Sequence, residues 1–267
     1  TGRARSDEAL VFDALLVEQL IGRGGGWQDP FGGVFGGINY LTSVPGDGRI
    51  VRDLLTLKEG LLKELEDRLS AMQKSVIYAL NQLLDMKDLS TGVHSTRLAE
   101  WAVRVAQELG IEESCLHDIE VAALLHDIGK MGIPDAILNK PGRLGDDEMQ
   151  LMQKHPEYGW AILRLFPGLE AASLLILHHH ESYDGRGYPG GLKGDEVPLG
   201  ARIVSVIDSF DAMVSSRSYR NGLPFEEAVR RLILASGTQF DPTVVRCFLH
   251  IATAEAPVVF ASTGSTP

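Results

Sequence analysis

An all-α fold is predicted for this chain of 267 residues, a multihelical bundle preceded by one long coiled-coil helix. Two observations carry that expectation. Between residues 51 and 87 apolar residues recur every seven positions, the spacing at which helices wind around one another. From residue 88 onward they follow the helical period in segments that stop at Gly or Pro,. No segment reads as a convincing strand. Val204 and Val206 alternate with Ser205, yet the three-residue spacing of Asp208 and Asp211 among apolar neighbours fits a helix better,.

Composition narrows the function. With 44% hydrophobic and 23% charged residues the sequence reads as an ordinary globular protein, long enough for one sizeable core and a smaller attached region. A net charge of −11 argues against a nucleic-acid polymer or an anionic membrane surface as partner,. An anionic substrate must then be attracted locally. Cys115 and Cys247 are too few and too isolated for a disulfide framework, so a reducing, cytoplasmic compartment is expected,. No apolar run approaches the ~20 residues of a membrane span, and no secretory signal opens the sequence,.

In order, residues 1–50 read as a short N-terminal regulatory or fragmentary region. Leu10, Val11, Ala14, Leu15, Val17 and Leu20 stripe a helix over 7–21,. Residues 22–37 then hold eight glycines in sixteen positions. No Gly-Lys-Ser/Thr follows, so a flexible connector is expected rather than a phosphate loop. Residues 51–87 form the predicted linker helix. Leu55, Leu62, Leu69, Val76 and Leu83 share one heptad position, and Leu65, Met72, Ala79 and Met86 lie three residues later. This seam predicts a parallel homodimer. A catalytic domain is expected over 88–255, with helices at 95–109 (ended by Gly110), 115–125, 146–166, 169–180, 199–215, 225–235 and 242–251, and a flexible tail over 256–267,.

Chemistry concentrates on His and Asp. His126 and Asp127 lie inside the apolar run 119–128, with Lys130 four residues after the histidine. Desolvating such charges without purpose costs several kcal/mol. A bound cation turns the same groups into ligands. His94 lies upstream, His155 downstream, and His178, His179, His180 and Glu181 close another apolar helix; Asp208 projects from a further one. Nitrogen and carboxylate ligands delivered by facing helices suit iron, manganese, nickel or zinc better than calcium or magnesium.

Together with His155-Pro156, Asp184-Gly-Arg-Gly-Tyr-Pro189, Arg217-Ser-Tyr-Arg220 and Phe240-Asp-Pro242, these motifs give residues 88–249 a clear kinship. The stretch resembles the HD-GYP family of bacterial cyclic di-GMP phosphodiesterases, within the metal-dependent HD phosphohydrolases. The resemblance implies an HD-domain/PDEase-like bundle in which His94, His126, Asp127 and Asp208 hold one metal. His155, His179 and His180 hold a second, with Asp127 bridging, and Fe or Mn is expected ahead of Ni or Zn. Two ions sharing a hydroxide open the phosphodiester, with Asp127 and Lys130 as the catalytic pair. Asp88, Lys130, Arg217 and Arg220 are the implied substrate contacts, Arg suiting bidentate phosphate recognition.

Glu181 is expected to fix a histidine tautomer, and Asp211 to orient the helix of Asp208. His178 falls outside the pattern, while His117 and His250 read as surface or packing residues. Some members carry an acidic ligand for a third metal four residues before the first histidine. Here that position is Ser90, so two metals are expected. The loop of Gly187, Tyr188 and Pro189 is implicated in the family in docking diguanylate cyclase domains, which makes Tyr188 a candidate interaction residue. The expected reaction is hydrolysis of cyclic di-GMP to linear pGpG, continuation to GMP being left open. The alternatives are a catalytically weak cyclic-dinucleotide-binding or cyclase-docking signalling module, or a hydrolase of another cyclic dinucleotide.

Overall fold

The computed structural model describes residues 48–87, 94–215 and 222–259. The helix expected at 7–21, the glycine-rich stretch, Asp88, Ser90, Arg217 and Arg220 lie outside the described residues. Ten α-helices are described: α1 Gly48–Lys87, α2 His94–Glu108, α3 Glu113–Leu125, α4 Asp135–Leu138, α5 Asp146–Met152, α6 His155–Leu163, α7 Glu170–His178, α8 Leu199–Val214, α9 Phe225–Ala235 and α10 Pro242–Val259. Short 3₁₀ turns occupy Ile128–Gly132 and Gly194–Glu196. No strand occurs among the described residues, so the all-α expectation holds; only an isolated bridge joins Ser236 to Phe240. No described helix is long and apolar enough to cross a membrane.

Local signals explain most helix ends. Gly110 stops α2 at φ 73, a left-handed conformation that costs a glycine little. Its N–H donates to Gln107 O and the Ile111 N–H to Ala106 O, both at 3.0 Å, the paired bonds of a Schellman cap. The structure corrects the single helix expected over 146–166. That segment is two helices, α5 and α6, because Pro156 lacks an N–H and fits only a first helical turn. The break places His155 at the head of α6. The helix expected at 115–125 ends at Leu125 as α3, so His126 and Asp127 sit at its exit and Lys130 lies in the following 3₁₀ turn. At the other end α10 continues to Val259, past the start of the tail expected from 256.

The chain divides into two compact units, Thr1–Ser75 and Val76–Pro267. In the described part of the first, α1 exposes Leu62, Leu65, Leu69 and Met72, and Arg68 pairs with Glu64 one turn away at 2.7 Å. The second unit begins inside α1, earlier than the boundary at 87/88 that the heptads suggested. Ile77 and Leu84 are buried in its core with Leu80 packed against them, whereas Val76, Leu83 and Met86 stay exposed. Within 76–87 the helix therefore carries two apolar stripes, and only one is used by its own domain. Lys87 closes α1 by donating to Met131 O at 2.7 Å and Ile133 O at 2.9 Å.

At the heart of this unit Trp101 of α2 meets Phe210 of α8 and Phe248 of α10 edge to face, with centroids 5.9 and 5.4 Å apart. Burying each such ring contributes roughly 2–3 kcal/mol. A Cβ on Gly200 would lie 2.7 Å from Leu175 and 3.0 Å from Ile119. Its absence lets α8 approach α7 and α3 closely. Three helix ends and one helix face thus meet at a single place.

Candidate metal centre

His126 leaves the end of α3, His155 opens α6, and His179 and His180 leave the end of α7. Their rings cluster: His126 to His179 centroids lie 5.5 Å apart, His155 to His179 5.4 Å, His155 to His180 5.0 Å and His179 to His180 4.0 Å. One ring nitrogen each of His155, His179 and His180 falls within a 4.8 Å group.

The orientation of these rings follows from the backbone. Nδ1 of His126, His155 and His179 pairs with the carbonyl three residues earlier, Ala123 O at 2.9 Å, Met152 O at 2.9 Å and Ile176 O at 2.6 Å. A carbonyl can only accept, so Nδ1 carries a proton, and in the neutral rings of His155 and His179 Nε2 keeps its lone pair. Nε2 of His155 and of His179 is buried without any hydrogen-bond partner. Buried polar atoms are rarely left so. Lone pairs aimed at one another and paired with nothing are what a divalent cation requires, so the residues fit a metal.

Asp127 lies between two parts of the cluster. Its Oδ2 is 3.4 Å from Nε2 of His126 and its Oδ1 is 3.4 Å from Nε2 of His155. Asp208 Oδ1 lies 3.5 Å from Nε2 of His126, and Lys130 Nζ 2.6 Å from Asp127 Oδ2. Burial alone would raise the Asp127 pKa, but Lys130 first, then His126 and His155, hold it well below the carboxylate range. Burial opposes protonation of His126, yet Asp127 and Asp208 outweigh it and raise that pKa well above 6.5. Burial lowers His155, His179 and His180, the last to about 4. These three imidazoles are therefore neutral at pH 7 and available as ligands.

A pH dependence of stability follows for the chelated protein. Between pH 6.5 and about 4 the unfolded chain binds a proton at His180 that the folded chain refuses. Stability is then present above 6.5 and lost as pH falls through that window, by about 3 kcal/mol for His180. His126, with its raised pKa, is charged in both states there and contributes no slope. Urea midpoints measured from pH 7 to 4 should fall, and less steeply in His180→Asn; equal slopes would refute the account.

The domain model described as HD domain matches residues 49–244. The chain belongs to the HD domain family. The resemblance to its HD-GYP branch read from the motifs is borne out by curated relatives. A cyclic di-GMP phosphodiesterase of Thermotoga maritima is 40% identical over 210 residues, a match covering 73% of this chain and 57% of the relative. The cyclic di-GMP phosphodiesterase response regulator RpfG of Xanthomonas campestris is 39% identical, covering 73% and 52%. A 3'3'-cGAMP-specific phosphodiesterase 2 of Vibrio cholerae is 38% identical, covering 66% and 34%. The chain spans about half the length of the first two of these relatives. A crystal structure of a cyclic GMP-AMP specific phosphodiesterase of V. cholerae superposes at TM-score 0.56 and 24% identity, over 72% of this chain and 50% of that one. It is alike in fold.

Other expected residues of this HD-domain chain separate into those near the centre and those away from it. His94 begins α2. Its side chain lies outside what the structure describes. His178 sits with Nδ1 3.4 Å from Glu181, apart from the cluster. His117 is half-buried and lies 3.9 Å from Glu120, and His250 is exposed. Glu181 has a further role. Besides lying near His178, its carboxylate accepts the N–H of Gly190 at 2.6 Å and of Leu192 at 3.1 Å, and so ties down the Gly187-Tyr188-Pro189 loop. Tyr188 is half-buried with its ring stacked on His180, centroids 5.0 Å apart at 29°. Burial, then the fields of Asp127 and Asp208, push its phenol further up. Pro189 is exposed.

Asp211 was expected to orient the Asp208 helix, but its partner Arg97 and the role of Gly129 went unnoticed in the sequence. Asp211 is buried and receives Arg97 Nε at 3.0 Å and Ser215 Oγ at 3.2 Å, which binds the Asp208 helix to α2. Gly129 marks where the 3₁₀ turn touches α6, since a Cβ there would lie 1.8 Å from His155 O. A glycine inside a buried motif is a usable signal of close backbone approach. Arg97 carried none.

Proposed function

We propose that this chain is a metal-dependent phosphodiesterase that opens cyclic di-GMP to linear pGpG. The observation that carries the proposal is a histidine cluster with buried Nε2 atoms lacking hydrogen bonds, set beside a carboxylate whose two oxygens face different histidines. His126, Asp127 and Asp208, with His94 by its place in the motif, would hold one ion. His155, His179 and His180 would hold a second, with Asp127 shared. With Ser90 at the position of the acidic third-metal ligand, two ions are proposed, Fe or Mn ahead of Ni or Zn. Divalent cations bound there supply Lewis acidity toward the phosphate oxygens and a water of lowered pKa. The chain's own residues do the rest. Lys130, beside Asp127, offers a fixed positive charge to the phosphodiester, and Arg217 and Arg220 are proposed as phosphate contacts from the motif alone. The buried walls around the cluster exclude bulk water.

The named activities of the relatives, cyclic di-GMP and 3'3'-cGAMP hydrolysis, support a cyclic dinucleotide substrate. A parallel homodimer is proposed through the outer stripe of α1, where Leu62, Leu69, Val76 and Leu83 stand exposed at heptad spacing,. A cytoplasmic location and docking of a cyclase domain on the exposed Pro189 edge complete the proposal. The test is product analysis after anaerobic reloading with Fe(II) or Mn(II), with cyclic di-GMP and 3'3'-cGAMP assayed side by side and with chelated protein as control. Linear pGpG from the reloaded protein alone is expected. No product from metal-filled protein would overturn hydrolysis and leave a binding or docking module. Faster opening of 3'3'-cGAMP would reassign the substrate.

A further inference from the structure

We propose that Tyr188 is a positioning residue for His180, its ring doing for that imidazole what a backbone carbonyl does for the others. The inference rests on the metal reading of His155, His179 and His180. His126, His155 and His179 are each held through Nδ1 by a carbonyl 2.6–2.9 Å away. His180 has no such bond among the described residues. Its ring is bounded instead by other rings: His155 at 5.0 Å and 80°, His179 at 4.0 Å and 40°, and Tyr188 at 5.0 Å and 29°. His155 and His179 belong to the cluster themselves, so the Tyr188 face is the contact from outside it.

That face is fixed from behind. The Tyr188 N–H donates to His180 O at 3.1 Å. Two residues further along, the loop is held by the Glu181 carboxylate through the Gly190 and Leu192 N–H groups. On the near side Gly187 presses on the backbone of Glu181 and Ser182, where a Cβ would lie 2.1 Å from Ser182 N. Rigid backbone contacts on both sides therefore preset the ring that lies on His180. An imidazole with neither hydrogen bond nor stack rotates about two side-chain torsions and must give up that freedom to ligate a cation. The aromatic residue of the Gly-Tyr-Pro motif thereby acquires an inward task, distinct from docking a partner.

The test is Mn(II) titration followed by the EPR signal of the free ion, on the wild type, Tyr188→Phe, Tyr188→Met, His180→Ala and the His180→Ala/Tyr188→Met double variant. Tyr188→Phe keeps the stack and should bind as the wild type does. Tyr188→Met keeps the bulk without the plane and should weaken one of the ions by roughly 10–100-fold, as loss of an orienting partner does. In the His180→Ala background the same change should add nothing, and the melting of the chelated protein should be unmoved. Equal weakening by Phe and Met, wild-type binding by Met, or an undiminished effect of Met without His180 would each overturn the proposal. Tyr188→Leu replaces the methionine variant if that one does not fold. A wild type that binds no Mn(II) would instead overturn the metal reading on which this rests.

Discussion

Gly129→Ala is expected to strip the centre of metal and of activity at once. A methyl at this position would meet His155 O at 1.8 Å, Gly159 N at 2.5 Å and the His155 carbonyl carbon at 2.8 Å. All three are backbone atoms, so no side chain can swing aside. Either the 3₁₀ turn bearing Lys130 or the start of α6 bearing His155 must move by an ångström or more. Overpacking of this kind costs about 1–3 kcal/mol. Its chemical effect is larger, because displacing a catalytic group by ~1 Å lowers turnover on the order of 100-fold. Metal analysis, urea midpoints and turnover should fall together. Gly60→Ala is the comparison: nothing lies within 4 Å of its Cβ, the site is helical, and it should be neutral or slightly stabilising. Native metal content in Gly129→Ala would show that the turn yields more readily than its geometry allows.

The second large effect belongs to Asp127→Asn, which preserves shape and removes charge. Asp127 faces His126, His155 and Lys130 at 3.4, 3.4 and 2.6 Å. No other described residue joins both parts of the histidine cluster in this way. The amide has one oxygen to offer where the carboxylate has two anionic ones. One ion should be lost and the other weakened, and turnover should drop by on the order of 1000-fold or more if charge stabilisation is removed. Stability should change far less, since Lys130 loses a partner while one costly buried charge disappears. Stoichiometric binding of two ions by Asp127→Asn would sink the bridging role.

How much of this was legible depended on whether a signal was local. The end of α2 and the starts of α9 and α10 stand within a residue of expectation, where Gly110, Pro224 and Pro242 act on the chain directly. The break before His155 was obscured because apolar residues keep helical spacing across it, and Pro156 suits a helix start as well as a helix end. In α1 the heptad series drew attention to Val76 and Leu83. The series that packs into the core, Ile77, Leu80 and Leu84, runs one residue behind it. Glu181 stands beside the histidines in sequence, yet its oxygens serve N–H groups nine and eleven residues later. The Arg97–Asp211 pair spans 114 residues, and nothing in a single sequence announces it.

The carbonyls that orient the histidines have a consequence for the order of events at the centre. Ala123, Met152 and Ile176 lie in the last turns of α3, α5 and α7, where carbonyls lack helical partners and carry the negative end of the helix dipole. Three such ends, each worth up to about half an electron charge, share one small volume with Asp127 and Asp208, in a chain of net charge −11. Lys130 and the charged His126 offset the two carboxylates, and the helix ends then tilt the local potential toward cations. Under the proposed function, divalent ions are therefore expected to load before a phosphodiester substrate. Metal supply would then gate substrate capture, upstream of the proposed hydrolysis.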